Sequence, residues 1–443
     1  MSRRDAALLG VTLFLSGCVY YNAIYNAERA FEDAEVDRRA GRDSLAGLRY
    51  EEVIRRAAQG YRRAPEGEWA DDALFLLGRA RLRVGEINAA RAALEQATEV
   101  SDDRETRLAA LVYLALAEVE SGHHDNALVL LNRALNGLPD GPAMAEAHLL
   151  RGRILLSGGR TDGGWWDLDR ASEVDRRIRV EAGLMRLRLA IHHRDPNRAR
   201  EAFTRLLSYP EAGERADTVI MLADRAAEEW SPATVASLLS GVETAPWGRL
   251  GRARIALGRA RLLDRAGDTA SAVEAAWAVA RGIGAGAAEA RFQIARWRLQ
   301  FTSDLAQLEQ IRGILVPGGE HPDVARLLDA VGTLDRLTSV GLIEPLGWFA
   351  AAEVARDDLG ARLLAQGLFL AYADADPDDP WVPKALLAAL EVSPEDVDYA
   401  WLRERLETHR ESPYVRAAHG GASPGFEALE EDLALRLREI KNR

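Results

Sequence analysis

Few of the 443 residues carry side chains suited to covalent or metal chemistry. Cys18 is the only thiol, which excludes an internal disulfide framework and any cysteine-rich zinc or iron–sulfur site. Histidine is dense in two places, His123-His124-Asp125 and His192-His193-Asp195. Imidazole and carboxylate are zinc ligands. The two groups lie about 70 residues apart at turn-like positions, so each is expected to be a solvated turn and no metal is expected. HExxH and GxSxG runs are both missing from the sequence. Gly282-Ile283-Gly284-Ala285-Gly286 has glycine spacing seen in dinucleotide loops, but such a loop follows a strand and opens a helix. Here the preceding run, 271–281, is helical in pattern, so the glycines are expected to join two helices. Gly158-Gly159 and Gly163-Gly164 lack the Lys and Ser or Thr of a phosphate-cradling loop. No cofactor and no catalytic group is expected.

Cys18 has a specific context. Arg3 and Arg4 precede a mostly apolar run from Ala6 to Leu15, about half the length a bilayer span needs, and Ser16 and Gly17 follow. Residues 1–17 therefore have the form of a processed export segment. Leu15-Ser16-Gly17-Cys18 resembles the lipobox of bacterial lipoproteins, which implies cleavage before Cys18, acylation of its thiol and amino group, and anchorage in a lipid bilayer. Several acyl chains on one residue suffice for durable anchoring. Val19 in place of Asp leans, by the sorting rule of those lipoproteins, toward the outer membrane facing the periplasm. No later apolar run approaches 18 residues.

The body must position whatever partner such an anchor serves. Apolar residues make up 48% of the chain, dominated by Ala and Leu, and aromatic residues only 7%, a mixture that favours helix over sheet. From about residue 44, helical stretches alternate with short Gly, Asn, Asp or Pro turns and no period of two is sustained. Leu74, Leu77, Gly78, Gly85, Ala90, Leu94 and Ala97 recur as Leu111, Leu114, Ala115, Gly122, Ala127, Leu131 and Ala134, an offset of 37 residues. This pattern resembles the tetratricopeptide repeat, a helical hairpin whose small residues let paired helices approach closely. The twentieth position falls at Val53, Ala90, Ala127, Gly164, Ala199, Ala236, Ala272 and Gln307, with Gln307 and the half around Ser231-Pro232 as departures. The eighth falls at Gly78, Ala115, Gly152, Ala260 and Ala295, with Leu187 and Asp224 as departures. A sharper unit places Phe349, Gly360, Ala365, Phe369, Tyr372 and Pro377 at motif positions. The resemblance implies an all-α, right-handed superhelical solenoid of stacked hairpins with a concave face.

The organisation read from this is a tether and first helix over 18–43, a repeat array over 44–315, an irregular helical insert over 316–344 where VPGGEHP breaks the phase, a further repeat over 345–380, and helices from 381 to 443. Ser393-Pro394 has the form of a helix start and Ser412-Pro413-Tyr414 that of a turn. Residues 50–97 are more loosely similar to the start of the lipoprotein with this repeat in the outer-membrane β-barrel assembly machinery.

Two features of the array point to a binding surface. The ninth place of successive repeats reads Arg79, Leu116, Arg153, Arg188, Arg225, Arg261 and Arg296. In the family this place usually faces the concave groove, so the column implies a stripe suited to acidic or extended partner segments through bidentate pairs. Alternatively these arginines are satisfied by neighbouring carboxylates. Trp165 and Trp166 are adjacent and cannot both easily enter one small core, so either one is an exposed anchor or both fill gaps left by the nearby glycines. The net charge of −12 argues against general nucleic-acid binding. The expectation is a lipid-anchored, non-enzymatic scaffold for other cell-envelope proteins. Its alternatives are an accessory of outer-membrane protein assembly and an enzyme or enzyme subunit acting on cell-wall glycan.

Overall fold

The structure is a computed structural model that describes residues 24–394 and 399–442. Every regular element among the described residues is a helix. Contacts divide the chain into two units, Met1–Ile255 and Ala256–Arg443, a division that falls within the helix Arg249–Arg265.

The first unit is a series of helix pairs. A helix over 24–39 (α1) precedes α2 (Asp43–Arg63). Then follow α3 (Ala70–Arg83) with α4 (Ile87–Val100), α5 (Arg104–Glu120) with α6 (His124–Leu135), and α7 (Pro142–Ser157) with α8 (Thr161–Val174). The last pairs are α9 (Arg179–His192) with α10 (Pro196–Ser208), and α11 (Ala216–Glu229) with the short α12 (Pro232–Leu238). The α3–α4, α5–α6 and α7–α8 pairs turn tightly at a residue with left-handed backbone: Gly85, Gly122 and Gly159 have φ of +84°, +82° and +77°. Glycine takes that conformation without a Cβ penalty. The fourth turn places Arg194 there instead, at φ 53°.

Small residues set the spacing inside each pair, as the repeat resemblance implies. A Cβ on Gly78 would lie 2.4 Å from Leu94 Cγ, and one on Gly164 would lie 2.5 Å from Leu156 Cγ. Ala90 and Ala127 are fully buried. Replacing either by Leu is expected to cost about 1–3 kcal/mol through overpacking, read from urea unfolding of the variant beside the parent chain. Leu187, a departure from the motif, is itself fully buried. The close approach has moved one turn earlier, to Gly183, where a Cβ would come within 2.8 Å of Leu206 Cδ2. The half-repeat that carries Ala236 is a short helix whose first turn is capped by the Ser231 hydroxyl, which accepts from the Thr234 N–H.

Successive pairs pack through their first helices. α3 touches α5, α5 touches α7, α7 touches α9 and α9 touches α11, so the odd-numbered helices form one continuous layer with their partners behind it. This is a repeating arrangement of helical hairpins, all-α and tetratricopeptide-like.

The second unit contains α13 (Arg249–Arg265), whose bounds begin in the first, and continues with α14 (Thr269–Ala280), α15 (Ala285–Leu299), α16 (Leu305–Leu315), α17 (Pro322–Gly341), α18 (Leu346–Asp357), α19 (Arg362–Ala375) and α20 (Val382–Glu391). It ends with α21 (Ala400–Glu407), α22 (Pro413–Ala418) and α23 (Phe426–Asn442). Over 316–344, read as an irregular helical insert, the chain makes a single turn of tighter helix at Val316–Gly318 and then the 20-residue α17, which packs on α15, α16 and α18. Pro317, Gly318, Gly319 and Pro322 interrupt the sequence pattern just before a regular element, which is why the phase looks broken. The sharp unit at 345–380 has Phe349 edge-on to Phe369 and Tyr372, at ring distances of 5.2 and 5.4 Å. Ser393 does not cap the next described helix: its hydroxyl accepts from Gln366 Nε2 at 2.6 Å and donates to the Ala389 carbonyl, and α21 begins at Ala400. Ser412 is the residue that caps a helix there, α22, where a turn was expected.

Candidate functional site

The arginine column lies on the odd-numbered helices, and its members have different surroundings. Arg79 on α3 is enclosed by three aromatic rings, its guanidinium carbon 4.1 Å from the Phe31 centroid, 4.8 Å from Tyr113 and 5.2 Å from Phe75. Such cation–π contacts give it a packing role and withdraw it from any partner. Arg153 on α7 pairs with Glu120 at 3.6 Å and lines a cleft of about 370 Å³ together with Leu116, Leu149 and Leu150. Arg188 on α9 is exposed and lines a second cleft of about 220 Å³, with Arg39, Arg177, Arg215, Leu184 and Asp43. Both clefts share Arg38, Glu181 and Met185, so they adjoin. Arg225 on α11 is exposed. Among the described residues neither Arg188 nor Arg225 forms an ion pair. In the second unit, Arg261 approaches Glu289 at 3.7 Å and Arg296 lies 5.9 Å from the Phe292 ring, both partly solvated.

Behind the clefts runs a buried charge network that local spacing in the sequence does not announce. Glu35 on α1 accepts from the Tyr50 hydroxyl at 2.6 Å, from Arg83 Nε at 2.8 Å and from Arg38 Nη2 at 2.9 Å. Arg38 also donates to both oxygens of Glu181 on α9, at 3.0 and 3.1 Å, and Arg83 donates to Glu146 on α7 at 3.0 Å. Burial alone would push the Glu35 carboxyl up; the Arg83 and Arg38 guanidiniums and the Tyr50 hydroxyl outweigh it and hold the group well below the usual carboxylate range. Burial, reinforced by the Glu35 carboxylate, pushes the Tyr50 hydroxyl up, so it remains a proton donor.

The same contacts bring the start of the first unit onto its fifth pair. Arg215 Nη1 donates to the Arg38 carbonyl at 3.0 Å, and Arg42 lies 3.6 Å from Glu214. The inner face is therefore closed by its own first helix around Arg79 and open at Arg153 and Arg188. Of the two readings of the column, a stripe open to a partner and arginines engaged within the chain, both have members in the first unit: Arg79 and Arg153 are engaged, Arg188 and Arg225 are exposed, and the open surface is two adjoining clefts.

The tryptophan pair divides. Trp165 is core, 6% exposed and lying beneath Arg186 and Arg198 with ring distances of 5.6 and 5.4 Å, so it offers no anchor to a partner. Trp166 is 57% exposed and stands edge-on to His148 at 5.5 Å. His148 is itself held by Asp167 at 2.7 Å, and Arg151 grips the same carboxylate with two donors at 2.8 Å.

The histidine groups serve turns. His123 bonds to Glu118 at 2.9 Å, His193 Nε2 meets the Leu156 carbonyl at 2.9 Å, and Asp195 caps α10 by accepting from the Asn197 and Arg198 N–H groups. Among the described residues no group of three or more His, Cys, Asp or Glu could hold a metal ion. Gly284, at φ +89°, makes the turn into α15, so the glycine run is a helix connector. Cys18 and residues 1–17 lie outside the described residues. No described helix is long and apolar enough to cross a membrane.

No family model matches the sequence, and no curated protein matches it. Solved structures that resemble it include two described as tetratricopeptide repeat proteins. A tetratricopeptide repeat protein from Parabacteroides merdae is 17% identical, with 58% of this chain and 94% of that one covered and a TM-score of 0.30. The tetratricopeptide domain of P58(IPK) is 17% identical, covering 79% and 99% at a TM-score of 0.22, and the APC/C hetero-tetramer Cut9–Hcn1 is 13% identical, covering 83% and 94% at 0.26.

Proposed function

We propose that this chain is a lipid-anchored scaffold of the bacterial cell envelope, held through acylated Cys18 at the outer membrane and facing the periplasm, and that it docks proteins bearing acidic, extended segments at the Arg153–Arg188 clefts. One observation carries the docking reading: Arg188 is exposed and unpaired beside Leu184 and Met185, so a cationic clamp stands next to an apolar wall. The anchor rests on Leu15-Ser16-Gly17-Cys18 alone. A glycan-cleaving enzyme would need a carboxylic acid free to give a proton in the cleft. Glu120, Glu146 and Glu181 are each engaged by an arginine, which leaves Asp43 as a single carboxyl in clefts where a paired acid and base need two, and this favours docking over acid–base catalysis.

Reversing Arg188 and Arg225 to Glu together is expected to weaken capture of the partner at least tenfold and to leave helicity and melting close to the parent, because exposed charges contribute only about 0–1 kcal/mol to folding. Binding should also fall as salt rises. Unchanged capture by the double variant defeats the docking site. Cys18→Ser is expected to release the chain from membranes with its leader uncut; an acyl-free native amino terminus elsewhere defeats the anchor.

A further inference from the structure

A third cleft of the first unit lies apart from the Arg153–Arg188 clefts, where the end of α4, the first two turns of α5 and the end of α6 meet. Its volume is about 460 Å³, and its polar lining is Thr98, Arg104, Arg107, Arg133 and Asn136, with Gly137 at one side. In a chain of net charge −12, three guanidiniums converge there and no Asp or Glu lines the cleft. Arg107 is fixed by donation from Nη1 to the Ser101 carbonyl at 2.6 Å. Arg104 lies across Gly137 so closely that a Cβ at 137 would sit 2.9 Å from its Nη2. Among the described residues neither Arg104 nor Arg133 has a carboxylate partner. Three forks of N–H donors with a hydroxyl and an amide beside them suit a tetrahedral, multiply charged oxyanion, which guanidinium binds bidentately.

We infer that this cleft binds a phosphate group. The room available exceeds one orthophosphate, so the group belongs to a diphosphate or to a phosphorylated headgroup. The site does not depend on the docking clefts or on the anchor.

The test is a calorimetric titration of the Cys18→Ser full-length chain with inorganic pyrophosphate at physiological salt. Saturable one-to-one binding is expected below millimolar. Arg104→Gln with Arg133→Gln should weaken it at least tenfold. Gly137→Asp should do the same while keeping every arginine, since it places a tethered carboxylate on Arg104; the atoms it would meet, Arg104 Nη2 and Leu108 Cδ1, are side-chain ends that can shift. Circular dichroism and melting identify any variant that fails to fold, and either variant alone is sufficient for the comparison. Flotation of the same chain with vesicles of phosphatidic acid in phosphatidylcholine, lost in both variants, assigns the phosphate to a lipid headgroup. Pyrophosphate binding without flotation assigns it to a soluble ligand. No saturable pyrophosphate binding, or binding unchanged in the folded variants, overturns the site.

Discussion

Glu35→Ala is expected to destabilise the first unit by about 3–5 kcal/mol, the range for removing one partner of a buried ion pair. The carboxylate is 5% exposed and receives three donors at 2.6–2.9 Å, so its removal leaves Arg38 and Arg83 without a central counter-charge. α1 should loosen first, because Glu35 and Arg38 connect it to α2, α3 and α9. Hydrogen exchange read by element is the suitable measurement, since a chain of two units need not unfold in one step. Protection should fall in α1, α2 and α9 and persist in α17–α19. The pH dependence has a definite sign. A carboxyl held below its ordinary pKa in the folded state contributes stability that is complete above the ordinary carboxylate range and is lost as pH falls through and below it. The parent chain should therefore weaken on acidification more than Glu35→Ala does, and the gap between them should narrow with acid. Glu35→Gln keeps an acceptor but not the charge, and should recover only part of the loss. A Glu35→Ala chain within about 1 kcal/mol of the parent would show the network to be solvated.

Gly347→Ala should cost about 1–3 kcal/mol, although alanine is the better helix former by about 0.5–1 kcal/mol. Gly347 opens α18 against the last residue of α17: a Cβ there would lie 2.4 Å from Gly341 N, 2.8 Å from Gly341 Cα and 2.9 Å from the Leu337 carbonyl oxygen. All three are backbone atoms, so relief requires the two helices to move apart. Gly332 in α17 is the matched control, because a Cβ at that position would have nothing within 4 Å. Gly332→Ala should stabilise by about 0.5–1 kcal/mol. Opposite signs in thermal melts are the expected result, and equal small effects would mean that the α17–α18 contact is looser than described.

What the sequence revealed and what it hid have physical causes. The turns at Gly85, Gly122, Gly159 and Gly267 and the small positions at Gly78, Ala90, Ala127 and Gly152 were legible because a left-handed turn and a close helix contact each restrict residue type at a fixed spacing. Leu187 concealed its pair because another glycine, Gly183, made the contact one turn earlier. α17 was obscured by prolines and glycines that precede it and do not interrupt it. The fate of Arg79 was not readable: its rings come from Phe31, Phe75 and Tyr113, on three different helices, and only the fold brings them together. The Arg38–Glu181 pair spans 143 residues, and a charge-rich sequence offers many such pairings of equal local merit. Helical geometry made Trp165 and Trp166 point apart but left open whether both would pack; the burial of Trp165 beneath Arg186 and Arg198 and the exposure of Trp166 depended on the fold.

The central claim is that the open part of the first unit's inner face, and not its outer helices, receives a partner. It is tested most directly by photo-crosslinking in living cells, with a photoreactive residue replacing Met185, which lines both clefts, or Val129, which is exposed on α6. The account predicts a discrete crosslinked product at 185 that carries an acidic segment at the site of attachment, disappears when Arg188→Glu is added, and is missing at 129. Equal products at both positions, or a product at 185 indifferent to Arg188→Glu, would contradict it.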